Sequence, residues 1–214
     1  MPMSGNTSRP ARLCVYCGSN AGANAAYRDA AQALGEAMAR RGITLVYGGG
    51  HVGLMGVVAD AALGAGGEVI GVITDHLVSK EVAHRGLSTL EVVPDMHQRK
   101  ARFEQLSDGF IALPGGFGTV EEVIELLTWN QLGIVRKPVV LFDVERYWSG
   151  LFDWMDQAVV SGFVRHSHRM LAQRAHTADE ALALALAPAP ETPNKWLDRD
   201  TGQVPVVPGP STPS

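Results

Sequence analysis

Two adjacent carboxylates, Glu121 and Glu122, stand behind the turn Pro114-Gly115-Gly116-Phe117-Gly118-Thr119 and the single residue Val120. Ahead of the turn, Phe110 to Leu113 is a short apolar run that reads as a buried strand. From Thr119 onward the apolar residues Val120, Val123, Ile124 and Leu127 take helical spacing. A helix starting there leaves backbone N–H groups without acceptors and a partial positive charge aimed at the turn. Gly115, Gly116 and Gly118 carry no Cβ, so an anion can approach the backbone closely, and the stretch reads as a phosphate cradle. A phosphate seat with an acid one turn away points to chemistry on a phosphorylated molecule.

Neighbours on a helix diverge by about 100°, so only one of Glu121 and Glu122 can face a ligand. The helix dipole and a nearby arginine both lower a carboxylate's pKa, and the acid is expected to stay ionised at neutral pH. In that form it orients a water or stabilises a developing cation, and it is a poor proton donor. Arg99 and Lys100 fall at the start of their own helix, where the dipole disfavours cations. Facing an anion pocket would explain that placement. Arg99 shares a face with Met96 and Phe103 and is the better candidate for the pocket.

Other sites of possible chemistry are weaker. Tyr47-Gly-Gly-Gly-His-Val-Gly-Leu-Met-Gly56 is a second glycine loop behind a strand, and Cys17-Gly18-Ser19-Asn20 a third. None matches a P-loop, and no acid follows the Gly48 loop at the distance a dinucleotide ribose contact requires. Ser19 reads as a phosphate or ribose ligand rather than a nucleophile. Cys14 and Cys17 should point to opposite faces of their strand as reduced thiols, and His166 and His168 read as surface residues. No metal and no cofactor is expected.

The elements that must position these residues alternate regularly. Strands are expected at Arg12–Tyr16, 43–47, 68–73, Thr89–Val93, 110–113 and 138–142. Helices are expected at 25–41, from Met55 to about Gly64, from Asp95, from Thr119, at 148–161 and at Ala178–Leu186, with Thr74 to Ser88 irregular. Near-continuous apolar strands separated by helices imply an α/β fold, a mostly parallel sheet covered on both faces. Ligands then bind at the carboxyl ends of the strands, where the Gly18, Gly48 and Gly115 turns converge. Trp129, Trp148 and Trp154 read as core or interface aromatics.

The chain has 214 residues, 46% of them hydrophobic, 24 glycines and a net charge of −4. Those totals fit one domain over residues 11–187, with a flexible N-terminal segment 1–10 and a flexible tail 188–214 that holds seven of the 12 prolines. No apolar run approaches the roughly 18 residues needed to cross a bilayer, and Met1 to Pro10 lacks the apolar core of a signal peptide. The charge gives no reason to expect nucleic acid. A cytoplasmic location, away from the membrane, follows as the expectation.

Three blocks, Tyr47–Gly56, Asp95-Met-His-Gln-Arg-Lys100 and Pro114–Glu122, together with Cys17-Gly-Ser and Leu127-Thr-Trp129, resemble the signature blocks of the Lonely Guy family of cytokinin riboside 5′-monophosphate phosphoribohydrolases. The similarity runs from about Leu13 to about Ala187 and stops at the proline-rich tail. It implies a Rossmann-like three-layer αβα sandwich, a homodimer, and hydrolysis of the N-glycosidic bond of N6-substituted AMP or AMP itself. The products would be an adenine-type base and ribose 5-phosphate. It marks Glu122 and Arg99 as catalytic. It places Gly18, Ser19, Gly115, Gly116, Gly118, Thr119, Glu121, Lys100, Glu81 and Thr128 against the substrate. Asn20 stands where many members have a second serine, and Ser79-Lys80-Glu81 replaces the more usual Pro-Arg-Glu.

Chemically, loss of a purine from ribose builds positive charge on the sugar, which an ionised Glu122 would stabilise while positioning water, with Arg99 holding Glu122 through forked hydrogen bonds. Two alternatives belong to other classes: a non-catalytic nucleotide or cofactor carrier on this fold, and a pyridoxal-phosphate lysine decarboxylase. The second needs a Schiff-base lysine. The chain offers only Lys80, Lys100, Lys137 and Lys195.

Overall fold

The structure is a computed structural model, and it describes residues 9–78 and 83–191. The segments 1–8 and 192–214, most of the expected tail, lie outside the described residues, as do Glu81, Lys80 and Lys195.

Apolar strands and amphipathic helices alternate in chain order. They are β1 (Arg12–Tyr16), α1 (Ala25–Arg40), β2 (Thr44–Tyr47), α2 (Gly53–Gly64), β3 (Val69–Thr74), α3 (Asp75–Val78), β4 (Thr89–Val93) and α4 (Met96–Leu106). After them come β5 (Gly109–Ala112), α5 (Phe117–Gln131), β6 (Val139–Phe142), α6 (Ser149–Val160), α7 (His166–Arg169), β7 (Ala172–Ala175) and α8 (Ala178–Leu186). The strands form one seven-stranded sheet in the order β4-β3-β2-β1-β5-β6-β7, and every neighbouring pair is parallel. This is the expected α/β Rossmann-like sandwich. From β1 the chain moves outward on one side to β2 and later returns to the other side as β5. The carboxyl ends of β1 and β5 therefore flank the switch point.

Alternation along β1 splits the core into two layers. Leu13, Val15 and Cys17 pack with Leu34 and Met38 of α1, Leu54 and Val58 of α2, and Leu182 of α8. Cys14 and Tyr16 point the other way, onto Phe103 of α4, Val123 and Leu126 of α5, and Phe152 and Met155 of α6. The two cysteines are free, buried and on opposite faces, as their spacing requires. Burial in apolar surroundings raises both thiol pKa values.

Side-chain caps fix several helix starts. Asn24 Oδ1 accepts from Ala26 N–H at 3.0 Å, Asp95 Oδ1 from Gln98 N–H at 2.8 Å, and Thr177 Oγ1 from Glu180 N–H at 3.2 Å.

Four readings of the sequence change. Helix α5 begins at Phe117 with Gly116 as its N-cap, ahead of Thr119, which moves Glu121 and Glu122 out of the first turn. Helix α2 begins at Gly53, ahead of Met55. Residues 75–78 form a short helix inside the stretch expected to be irregular. Helix α7 and strand β7 add to the expected elements, and α7 buries His168, against the expectation of a surface residue. Trp148 is buried in the core, whereas Trp154 is 57% exposed.

Candidate active site

The three glycine turns are stitched together at the carboxyl edge of the sheet. Gly18 N–H donates to Pro114 O at 3.0 Å, and Leu54 N–H donates to Gly18 O at 3.0 Å. Between them opens a cleft of about 580 Å³. One end is built from Gly18, Ser19, Gly116, Phe117, Gly118 and Thr119. The N-cap Gly116 offers no side-chain bond to α5, so the first-turn N–H groups keep free donor capacity facing this end. A Cβ added at Gly116 or Gly118 would meet no protein atom within 4 Å, so both leave space for a ligand. The other walls are apolar: Val52, Met55, Ile73, Leu77 and Met96.

Arg99 is held from behind. Its side chain is buried, with Nε donating to Val72 O at 2.9 Å and Nη2 to Gly48 O at 2.7 Å. The guanidinium also lies 5.3 Å from the centroid of the Phe103 ring. A Cβ at Gly48 would collide with Arg99 Nη2, so this close approach requires glycine. These bonds correct the expectation that Arg99 grips Glu122 by a fork, because backbone carbonyls take its donors instead. Burial lowers the Arg99 pKa and the charge of Glu122 opposes that shift. The guanidinium remains a cation at neutral pH.

Glu122 lines the same cleft as Arg99. Its pKa is pushed up to about 7, first by burial, with Arg99 pulling it down and Glu121 pushing it up. The expectation of a fully ionised acid therefore fails. Two causes act together: desolvation outweighs the single arginine, and Glu122 lies beyond the first turn, where the helix dipole has faded. Near neutrality this group can give or take a proton.

Glu121 also reaches the cleft, but Lys100 binds it: Lys100 Nζ donates to Glu121 at 2.6 Å and to Glu125 at 2.9 Å. Lys100 thus sits in an ion cluster at the rim and does not line the cleft. Gly115 stands just behind the cleft, where a Cβ would clash with the Thr119 hydroxyl. Thr128 is exposed about three turns along α5, its hydroxyl donating to Ile124 O at 2.8 Å, and does not line the cleft. Glu81 lies outside the described residues.

Sequence reasoning missed the apolar wall. Ile73 is the last but one residue of β3 and Leu77 follows in α3, so their place around a strand's carboxyl end was the available signal. Tyr16 and Cys17, at the end of β1, form the floor of the cleft. A cavity of about 600 Å³ lies elsewhere, between the C-terminal end of α5 and Pro188–Glu191, and contains none of the expected site residues. Among the described residues no group of three or more His, Cys, Asp or Glu is placed to hold a metal ion.

A family model described as "Possible lysine decarboxylase" matches residues 55–185. A probable cytokinin riboside 5′-monophosphate phosphoribohydrolase of Oryza sativa subsp. japonica is 49% identical over 175 residues, covering 82% of this chain and 83% of that protein. A cytokinin riboside 5′-monophosphate phosphoribohydrolase of Arabidopsis thaliana is 47% identical over 169 residues, 79% of each. Among solved structures, the molybdenum cofactor binding protein of Rippkaea orientalis superposes with a TM-score of 0.62 at 24% identity, over 83% of this chain and 96% of that one. At that identity the likeness speaks for the fold alone.

Proposed function

The chain belongs to the Lonely Guy family of cytokinin riboside 5′-monophosphate phosphoribohydrolases, and on that premise we propose that it hydrolyses the N-glycosidic bond of N6-substituted AMP, and of AMP itself, at the cleft between β1 and β5. The observation that carries this reading is the pairing in one cleft of an anion-accepting helix start with a buried arginine and a carboxyl titrating near 7.

The first-turn N–H groups of α5, with Ser19 and Thr119, take the 5′-phosphate, whose binding energy orients a bond some distance away. The C1′–N9 bond breaks with its electron pair passing to the purine, which takes up a proton, while charge develops on the ribose ring. Ionised Glu122 stabilises that charge and removes a proton from the water that bonds to C1′. Its pKa near 7 also lets the protonated form return that proton to the leaving base. Arg99, anchored by Val72 O and Gly48 O, fixes the local charge and offers its remaining N–H donors to ribose or phosphate oxygens. Of the further contacts that the resemblance implies, Glu121 and Glu81 stay in the proposal, Lys100 acts through its ion pair with Glu121 and Gly115 through the backbone of the turn, and Thr128, away from the cleft, is left out.

Neither lysine among the described residues is placed for a Schiff base in the cleft. Lys100 is bound by two carboxylates, and Lys137 pairs with Glu104 away from the cleft. The test is product analysis with isopentenyl-AMP and AMP. Free base with ribose 5-phosphate is expected, and intact nucleotide bound without turnover would point to a carrier instead.

The active unit in this proposal is residues 11–187 as a cytoplasmic homodimer. Exposed apolar side chains at Ile134, Val160 and Phe163 provide surface for pairing, and light scattering should return twice the chain mass. Among the described residues no helix is long and apolar enough to cross a membrane.

A further inference from the structure

A third cavity, of about 280 Å³, lies behind the phosphate turn and is lined by Tyr27, Tyr147, Gly18, Pro114 and Gly115. Tyr147 is delivered there by a strained turn after β6. Glu145 and Arg146 have φ of 51° and 58°, left-handed values that side chains other than glycine rarely adopt. Buried bonds hold the turn in place. Asp143 N–H donates to Ala175 O at 2.8 Å, Asp143 Oδ1 accepts Trp148 N–H at 2.7 Å, and Trp148 Nε1 donates to Ala112 O at 3.3 Å. The Tyr147 ring meets Tyr27 edge-on at 5.7 Å and Trp148 at 4.9 Å. Its hydroxyl donates to Gly115 O at 2.5 Å.

The acceptor is what matters. Gly115 C=O and Gly116 N–H belong to one planar trans peptide and point in opposite directions. Gly115 lines only the rear cavity, while Gly116 lines both the rear cavity and the cleft. A peptide with glycine on both sides is free to rotate, and rotation would aim a carbonyl oxygen at the incoming anion. We propose that Tyr147 is a positioning residue that pins the Gly115 carbonyl behind the turn, so that Gly116 N–H faces the 5′-phosphate of the substrate. This inference rests on the phosphate seat assigned above, and Tyr147 itself does not line the cleft.

Tyr147→Phe keeps the ring contacts and removes only the hydroxyl. Calorimetry on the full chain, with Glu122→Gln present in both proteins so that AMP is not consumed, would compare Tyr147 with Tyr147→Phe for ribose 5-phosphate, AMP and adenosine, alongside thermal melts and steady-state rates of the proteins without Glu122→Gln. Affinity for the two phosphorylated ligands should fall about three- to tenfold, the loss of one ordinary hydrogen bond. Adenosine affinity should not move, the melting temperature should fall by no more than the few degrees that one exposed hydrogen bond is worth, and KM should rise more than kcat falls. Unchanged affinity for ribose 5-phosphate, or an equal loss for adenosine, would overturn the assignment. Because binding needs no turnover, a wild-type protein that binds AMP without cleaving it sinks the hydrolase reading while the hydroxyl is still tested.

Discussion

A carboxyl group that is half protonated near neutrality is a different reagent from one that is always ionised. Glu122 is of the first kind because burial outweighs one neighbouring guanidinium. Glu122→Gln should reduce base release by about a thousandfold or more, while AMP still binds. The rate should also depend on pH: with the carboxylate acting on water, kcat/KM rises as pH climbs through about 7 and then levels.

Stability gives an independent check on the same group. The folded pKa lies above the unfolded one, so the native state holds the proton more tightly and loses stability as pH rises from about 4.5 through about 7. The Gln variant lacks that loss. It should melt higher than wild type at about pH 8, and the gap should close in acid. For Arg99→Lys, an ammonium cannot reproduce the fork onto Val72 O and Gly48 O. An unpaired buried carbonyl costs about 1–3 kcal/mol, readable in urea melts, and activity should fall with it.

Among the elements, α5 and α4 carry the site. Gly115→Ala would drive a Cβ into the Thr119 hydroxyl and against Gly18 N at 2.9 Å. A stability loss of about 1–3 kcal/mol, with weaker phosphate binding, is the expected result in calorimetry. The glycine turns, the capping role of Asp95 and six of the strands were legible because each rests on local chemistry: a strand's apolar run, a missing Cβ, a short acceptor side chain. Strand β7, Ala172-Gln-Arg-Ala175, was not, since an edge strand with polar residues at its centre has no apolar run to betray it. The start of α5 was misplaced because Phe117, 97% exposed, does not join the helix's apolar stripe.

At the scale of the molecule, the topology gathers Gly18, Arg99 and Glu122, far apart in sequence, at one sheet edge. The choice of Glu122 over Glu121 came with the family resemblance, whereas the place of the cleft could be read from strand order and the glycine turns. The pKa of Glu122, the backbone anchoring of Arg99 and the Lys100 cluster could not, because each depends on what tertiary packing brings near. In the proposed reading, phosphate recognition at one end and bond cleavage at the other unite the parts. The most direct test compares kcat/KM for isopentenyl-AMP with that for isopentenyladenosine, the same molecule without its phosphate. The account predicts that removing the phosphate costs at least about a hundredfold, since its binding energy orients the scissile bond. Equal rates on the two substrates would contradict it.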